Sequence, residues 1–160
     1  MAVDMFIKIG DIKGESKGKN HVGEIDILAW SWGLSQSGTM HMGGGGGAGK
    51  VSIQDLSFTK YLDAASADLM LACCNGKHIA EAVLTVQKAG ESALPYIKIT
   101  LTNLLVASVS TGGSGGEDRL TENVSLNFEI VKVEYDSQNE TGGPGDHYGM
   151  GWNIAENAKV

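Results

Sequence analysis

Residues 44–50 read Gly-Gly-Gly-Gly-Ala-Gly-Lys and fit the spacing G-x-x-x-x-G-K. In a phosphate-binding loop the next residue is Ser or Thr, whose hydroxyl coordinates Mg²⁺. Here it is Val51, and Val51-Ser-Ile-Gln-Asp does not open a helix whose N-terminus could face a phosphate. The glycines therefore read as a flexible loop. Residues 112–116, Gly-Gly-Ser114-Gly-Gly, fit G-x-S-x-G. A nucleophile elbow needs a strand before the serine, a helix after it and a histidine base. The residues after Ser114 lead into another strand, and with 23 glycines in 160 residues such a match arises by chance. The four histidines, at 21, 41, 78 and 147, show no zinc-ligand spacing, and Cys73-Cys74 is not C-x-x-C. A bridge between adjacent cysteines would be strained, so both read as free thiols. Met40-His41-Met42 offers soft donors suited to copper, but three loop side chains docking on a surface is the plainer reading. Glu117-Asp118 beside Arg119 reads as a cluster that holds the preceding turn by charge-assisted hydrogen bonds. No catalytic residue, cofactor or metal is expected.

The elements that would position these groups are mostly strands. Met5, Ile7 and Ile9 alternate with Phe6 and Lys8. Ile25 and Ile27 are apolar on one face, and then the set moves to Leu28, Trp30, Trp32 and Leu34. A strand changes its buried face only through a bulge or bend, which is placed near 27–28. The large residues are expected in the core. Ala29, Ser31, Gly33 and Ser35 are expected to meet water. Leu84 and Val86, then Ile97, Ile99 and Leu101, mark two more strands. Val124, Leu126, Phe128 and Ile130 give way to Val131, Val133 and Tyr135, which implies a second bulge. Within 61–75, Leu62, Ala65, Leu69 and Cys73 recur at helical spacing, with Asp63 or Ser66 as a start signal and Asn75-Gly76 as a stop. Repeated strands between Gly/Ser turns predict a mainly β sandwich or barrel with one short flanking helix.

A chain of 160 residues is expected to form one domain, with an extended Gly-rich loop at about 36–50 and a polar loop at about 136–151. Five consecutive glycines exceed what a tight turn needs, and a loop of this length is costly to order unless something holds it. The formal charge of −7 argues against a nucleic-acid-binding surface. No apolar run approaches the length of a membrane span. The first residues lack a basic segment followed by an apolar one, so synthesis in the cytoplasm without a cleaved export signal is expected. Sheet edges need covering, and self-assembly is one way to cover them.

The sequence closely resembles the haemolysin-coregulated protein (Hcp) family, the tube-forming component of type VI secretion. The resemblance rests on Met1-Ala-Val-Asp-Met-Phe-Ile-Lys-Ile-Gly-Asp, Ile27-Leu-Ala-Trp-Ser-Trp-Gly-Leu-Ser-Gln-Ser-Gly and Met40-His-Met-Gly-Gly-Gly-Gly-Gly-Ala-Gly-Lys-Val. It continues through Asp55-Leu-Ser-Phe-Thr-Lys-Tyr, residues 108–128 and Gly151-Trp-Asn-Ile. These segments come in order along nearly the whole chain. Departures lie in residues 64–91, in the loop after Tyr135, and in Gly149-Met150.

The resemblance implies a barrel of two antiparallel sheets with a flanking helix, assembling as a homohexameric ring. Rings of the family stack into a tube inside a contractile sheath, beneath a spike protein, and are expelled into the surroundings or a target cell. The lumen can hold and chaperone effector proteins. On that basis Met40, His41, Met42, Gly44, Gly45 and Lys50 are expected at a joint between subunits. Ser31 is expected to line the lumen, because small side chains suit a pore that passes varied cargo. Glu117, Asp118 and Arg119 are expected to hold a turn. Two alternatives compete with the tube: a monomeric barrel that binds a small ligand, and a hydrolase using Ser114.

Overall fold

The computed structural model describes residues 2–42, 44, 46–89 and 93–160. The strands are β1 (Val3–Ile9), β2 (Ile25–Asp26), β3 (Ala29–Ser31), β4 (Leu34–Gly38), β5 (Ala48–Ile53) and β6 (Leu56–Tyr61). The helix α1 (Ser66–Asn75) comes next. Then come β7 (Ile79–Lys88), β8 (Pro95–Gly112), β9 (Thr121–Gln138), β10 (Pro144–Asn153) and β11 (Ala158–Lys159).

All pairings are antiparallel. The trunk is the β8–β9 pair, two strands of 18 residues each. The second edge of β9 is shared. Its first part, from Thr121 to Leu126, pairs with β6, and its later part pairs with β10. The main sheet has nine strands in the order β11-β10-β9-β8-β7-β1-β2, with β6 and β3 branching from β9. β4 and β5 form a separate two-stranded sheet.

This corrects the expected barrel. The ladders do not close: the ordered path is open between β11 and β2. A chain switch at the expected bulge bridges part of the gap. The Ile27 N–H donates to the Met5 carbonyl of β1 at 3.1 Å, and the next N–H, of Leu28, donates to the Thr59 carbonyl of β6 at 2.7 Å. One segment thus serves β1 first and β6 next, which is why the buried face changes there.

The second face change is shared by two strands. On β8 the buried positions move from Ile99 and Leu101 to Leu104 and Val106. On β9 they move from Leu126 and Phe128 to Val131. The register stays constant through this point, so no bulge is inserted in β9. Asn103 absorbs the change instead. It adopts φ 53°, a left-handed conformation that Asn tolerates better than most residues. Its amide donates to Glu129 Oε2 at 2.8 Å. The irregularity in the ladder lies farther along β8, between Val106 and Ser108.

The core gathers inward residues of β1, β6, β7, β8 and β9, and α1 lays Leu69 and Ala72 against it. The helix is shorter than the 61–75 expectation because Tyr61 still belongs to β6. Neither Asp63 nor Ser66 is the N-cap. Ala65 takes that place without a side-chain bond, while the Asp63 carboxylate accepts the Ala65 N–H at 2.9 Å. Gly76 ends the helix as expected, at φ 63°, where a side chain would be strained.

Two charged residues sit at inward positions of this core. Lys60 and Glu122 face each other across the β6–β9 ladder, both fully buried and in ionic contact. The Lys60 ammonium also donates to Asp63 Oδ1 (2.8 Å), Ser66 Oγ (3.0 Å) and the Tyr61 carbonyl (3.1 Å). The Ser66 hydroxyl donates to Glu122 Oε1 at 2.6 Å and accepts the Asp63 N–H at 3.0 Å. Its one proton and both lone pairs are therefore used.

Breaking a buried pair strands a charge and costs about 3–5 kcal/mol, whereas replacing both partners with apolar groups is close to neutral. We therefore expect Lys60→Met to lower unfolding stability by about that amount, and Lys60→Met combined with Glu122→Leu to recover most of it. Denaturant unfolding of the two variants checks this. A single variant as stable as the parent would show that the pair carries no weight.

Candidate functional site

Two surfaces stand out once the register is laid down. The first is the outward face where β3, β6, β9 and β8 lie side by side. One row runs Ala29, Thr59, Asn123 and Ser110, and the next runs Ser31, Ser57, Ser125 and Ser108. None of the eight is charged and none is buried. Side-chain bonds knit the rows: Ser57 Oγ to Ser125 Oγ at 3.1 Å, and Thr59 Oγ1 donating to Asn123 Oδ1 at 2.7 Å. Alternation makes this face wet, because the same strands send Leu56, Phe58, Val124 and Leu126 into the core. Ser31 thus sits in a four-strand wall of hydroxyl and amide groups.

The face expected to be core is only partly so. Trp30 and Trp32 pack half-buried against the core, but Leu28 and Leu34 are 43% and 50% exposed. Leu28 lies at the strand switch, and Leu34 opens β4, which leaves the main sheet. Gly33 is held at this departure, its carbonyl accepting the Gln54 N–H at 2.9 Å.

The second surface is the β4–β5 hairpin. Thr39 closes its long connection: its N–H and hydroxyl both donate to the Gly47 carbonyl (3.1 Å each), and its Oγ1 accepts the Gly47 N–H at 3.0 Å. Met40 and Met42 are 80% and 60% exposed, and His41 is exposed beside them. Gly44 is exposed at φ 76°, and Lys50 is exposed within β5. Gly45 lies outside the described residues. No helix comes after Lys50 in this hairpin, so a phosphate cradle has no helix N-terminus here. Beneath the hairpin, an apolar cleft of about 260 Å³ opens between Leu34, Val51 and Ile53 on one side and Met150 and Trp152 of β10 on the other. The indole N–H groups of Trp32 and Trp152 are buried without an acceptor among the described residues.

Of the remaining expected groups, Ser114 and Glu117 share a cleft with Ser110 and Asn123 of the first surface. Ser114 is exposed in a shallow cleft with Ser110, Thr111, Glu117, Thr121 and Asn123, and no histidine lines it among the described residues. The turn is closed by the Glu117 N–H donating to the Ser114 carbonyl at 3.2 Å. Arg119 does not bond the neighbouring carboxylates among the described residues. Its guanidinium lies over the Tyr61 ring, 3.8 Å from the centroid. Such stacking competes with a carboxylate for the same planar cation.

Against known proteins, the family model "Type VI secretion system effector, Hcp" matches residues 6–135. The chain belongs to the Hcp family of type VI secretion. It is 64% identical over 162 residues to "Protein hcp1" of Pseudomonas aeruginosa, covering the whole of both chains. Among solved structures, "Structure of a type six secretion system protein" superposes with a TM-score of 0.94 at 29% identity, covering 99% of this chain and 100% of that one. Hcp1 from Salmonella typhimurium superposes with a TM-score of 0.79 at 37% identity over the whole of both chains. The Hcp fold is thus mainly β with one helix.

Sequence reasoning missed the Lys60–Glu122 pair, the left-handed Asn103 and the cleft beneath the hairpin. The first had a signal. Leu56, Phe58 and Lys60 are in phase, as are Glu122, Val124 and Leu126, so each strand carries one charge on its inward face.

A cation over an aromatic ring contributes about 0.5–1 kcal/mol at an exposed site. We expect Arg119→Ala and Tyr61→Leu each to lower stability by about that much, and the double variant to lose less than the sum. Thermal melts of the three variants test it. Additive losses would mean that the stack contributes nothing.

Proposed function

We propose that this protein is the structural tube component of a type VI secretion system, with no enzymatic role. Six copies form a ring, rings stack into the inner tube, and the contractile sheath expels it beneath the spike. On this reading it is made in the cytoplasm and leaves the cell as part of the apparatus. The observation that carries the reading is the β4–β5 hairpin. An isolated two-stranded hairpin is marginal in water. This one pairs with no other strand among the described residues and presents Met40 and Met42 to solvent. A partner surface supplied by the next copy offsets the ordering cost of the Gly-rich connection, roughly 1–2 kcal/mol per residue, through apolar contact. Met40, His41, Met42, Gly44, Gly45 and Lys50 are assigned to this joint.

Deleting residues 40–47 is expected to yield monomers that keep β-type circular dichroism, while the parent runs as a hexamer by mass photometry. Rings that persist unchanged would remove the hairpin from the joint. A parent that is monomeric and takes an apolar ligand would favour the small-ligand reading instead.

The uncharged wall supports a lumen assignment. An outer wall of a soluble ring would carry Lys and Glu, whereas a pore for varied cargo is served by short hydroxyls that do not grip. Ser31 and its row lie on the lumen in this reading and contact effectors there. Ser31→Gln is expected to leave rings intact and to reduce retention or export of a lumen-bound effector. Rapid labelling of Ser31→Cys rings by a thiol reagent too large for the pore would put Ser31 outside.

A further inference from the structure

We propose that Met40 and Met42 are a reversible oxidation site, at which a hydroperoxide turns the hairpin's thioethers into sulfoxides and keeps copies of the chain apart. The site lies on the hairpin already read as the joint between subunits, and its effect on association rests on that reading.

Exposure singles the two residues out. Met40 and Met42 are 80% and 60% exposed, against 43% for Met150, while Met5 and Met70 are half-buried. Met5 packs against the core, and Met150 borders the cleft beneath the hairpin. The exposure does not come from a loose chain. The Met42 N–H donates to the Thr39 carbonyl at 3.0 Å, and the Thr39 N–H donates to the Gly47 carbonyl at 3.1 Å. A Cβ on Gly46 would come within 2.7 Å of the Thr39 carbonyl oxygen and 2.8 Å of the Met40 Cα. The returning chain therefore passes behind Met40 only because residue 46 is glycine. The backbone is braced through Thr39, Gly46 and Gly47, while both methionine side chains are left to solvent.

A thioether sulfur attacks one oxygen of a hydroperoxide. An S–O bond forms, the O–O bond breaks and, after proton transfer, water or an alcohol leaves. The sulfur is oxidised by two electrons and the peroxide is reduced by two. The reaction asks nothing of the protein but access, so the most exposed methionines react first. The product is a polar, chiral side chain that methionine sulfoxide reductases return to the thioether, one enzyme for each epimer. On a free copy the new oxygen is hydrated. At a joint it would lose that water, and burying a polar group without a hydrogen-bond partner is unfavourable. The oxidised hairpin thus keeps its own fold and loses its partner. A joint that covers Met40 and Met42 also shields them, so the site acts on free copies before it acts on finished rings.

The test is hydrogen peroxide treatment of the full chain at high and low protein concentration, read by peptide mapping and mass photometry. On dilution, where rings release copies, Met40 and Met42 should each gain one oxygen ahead of Met5 and Met70. The ring-sized species should then be lost while β-type circular dichroism stays. At high concentration the same two sulfurs should react more slowly. Methionine sulfoxide reductases with dithiothreitol should restore the rings. Recovery with dithiothreitol alone would place the damage at Cys73 or Cys74 and overturn the assignment. The variant Met5→Leu, Met70→Leu, Met150→Leu should lose and regain its rings as the parent does, and its resistance to peroxide would put the sensitive sulfur elsewhere. Two results on the parent alone also overturn the site: Met40 and Met42 reacting no faster than Met5 and Met70, or rings that persist with both sulfoxides present. A parent that never forms rings counts against the joint reading instead, and peptide mapping of its single copies still decides the oxidation site.

Discussion

The rest of the fold depends on how the outer edge of β9 is divided. One strand of 18 residues cannot pair with β6 and β10 along the same stretch, so it serves β6 first and β10 afterwards. The Lys60–Glu122 pair fastens the first part. It sits across that ladder with no solvent contact, and its neighbours Asp63 and Ser66 are the residues that lead into α1. Two buried charges are costly unless their remaining bonds are filled. Here the ammonium is surrounded by acceptors, while Glu122 Oε2 has no partner among the described residues. Helix and ladder are therefore tied to one polar centre inside an apolar core.

The handover along β9 comes farther on than that centre. Past Leu126, opposite Leu56 at the start of β6, β9 needs a new neighbour, and Glu129 marks the transition. Its carbonyl accepts the Ile154 N–H at 2.8 Å, and its carboxylate receives Asn103. The left-handed Asn103 lets β8 change its buried face in step with β9, so the pair stays in register while the core side reverses. The β2–β3 switch answers the same demand at the other edge, passing one segment from β1 to β6. Both devices keep apolar residues inward without closing the ladder.

These constraints also set what the outward surfaces carry. The strands that bury Phe58 and Leu126 must present Ser57, Thr59 and Ser125 outward. The hairpin, having left the sheet at Leu34, leaves Leu34, Met40 and Met42 exposed, while its Ile53 packs against the core. Among the described residues the wet face carries short hydroxyl and amide groups, and the hairpin presents exposed methionines.

The sequence by itself determined the mainly β class, the single helix and its Gly76 stop, the face change at 27–28, and the family. Each is written in local periodicity, a turn residue, or a run of matching segments. It also placed Ser31 among the outward small residues, since alternation needs only the strand's own pattern. Only the tertiary structure decided that Lys60 and Glu122 meet, that Asn103 rather than a bulge in β9 reverses the second face, and that the ladders stay open. It alone decided that Leu28 and Leu34 are exposed and that Arg119 stacks on Tyr61 instead of bonding its neighbours. The physical reason is common to these. A strand's sequence records which residues face the same way. Which strand lies opposite is set by contacts between residues far apart in the chain, and those contacts leave no local period to read.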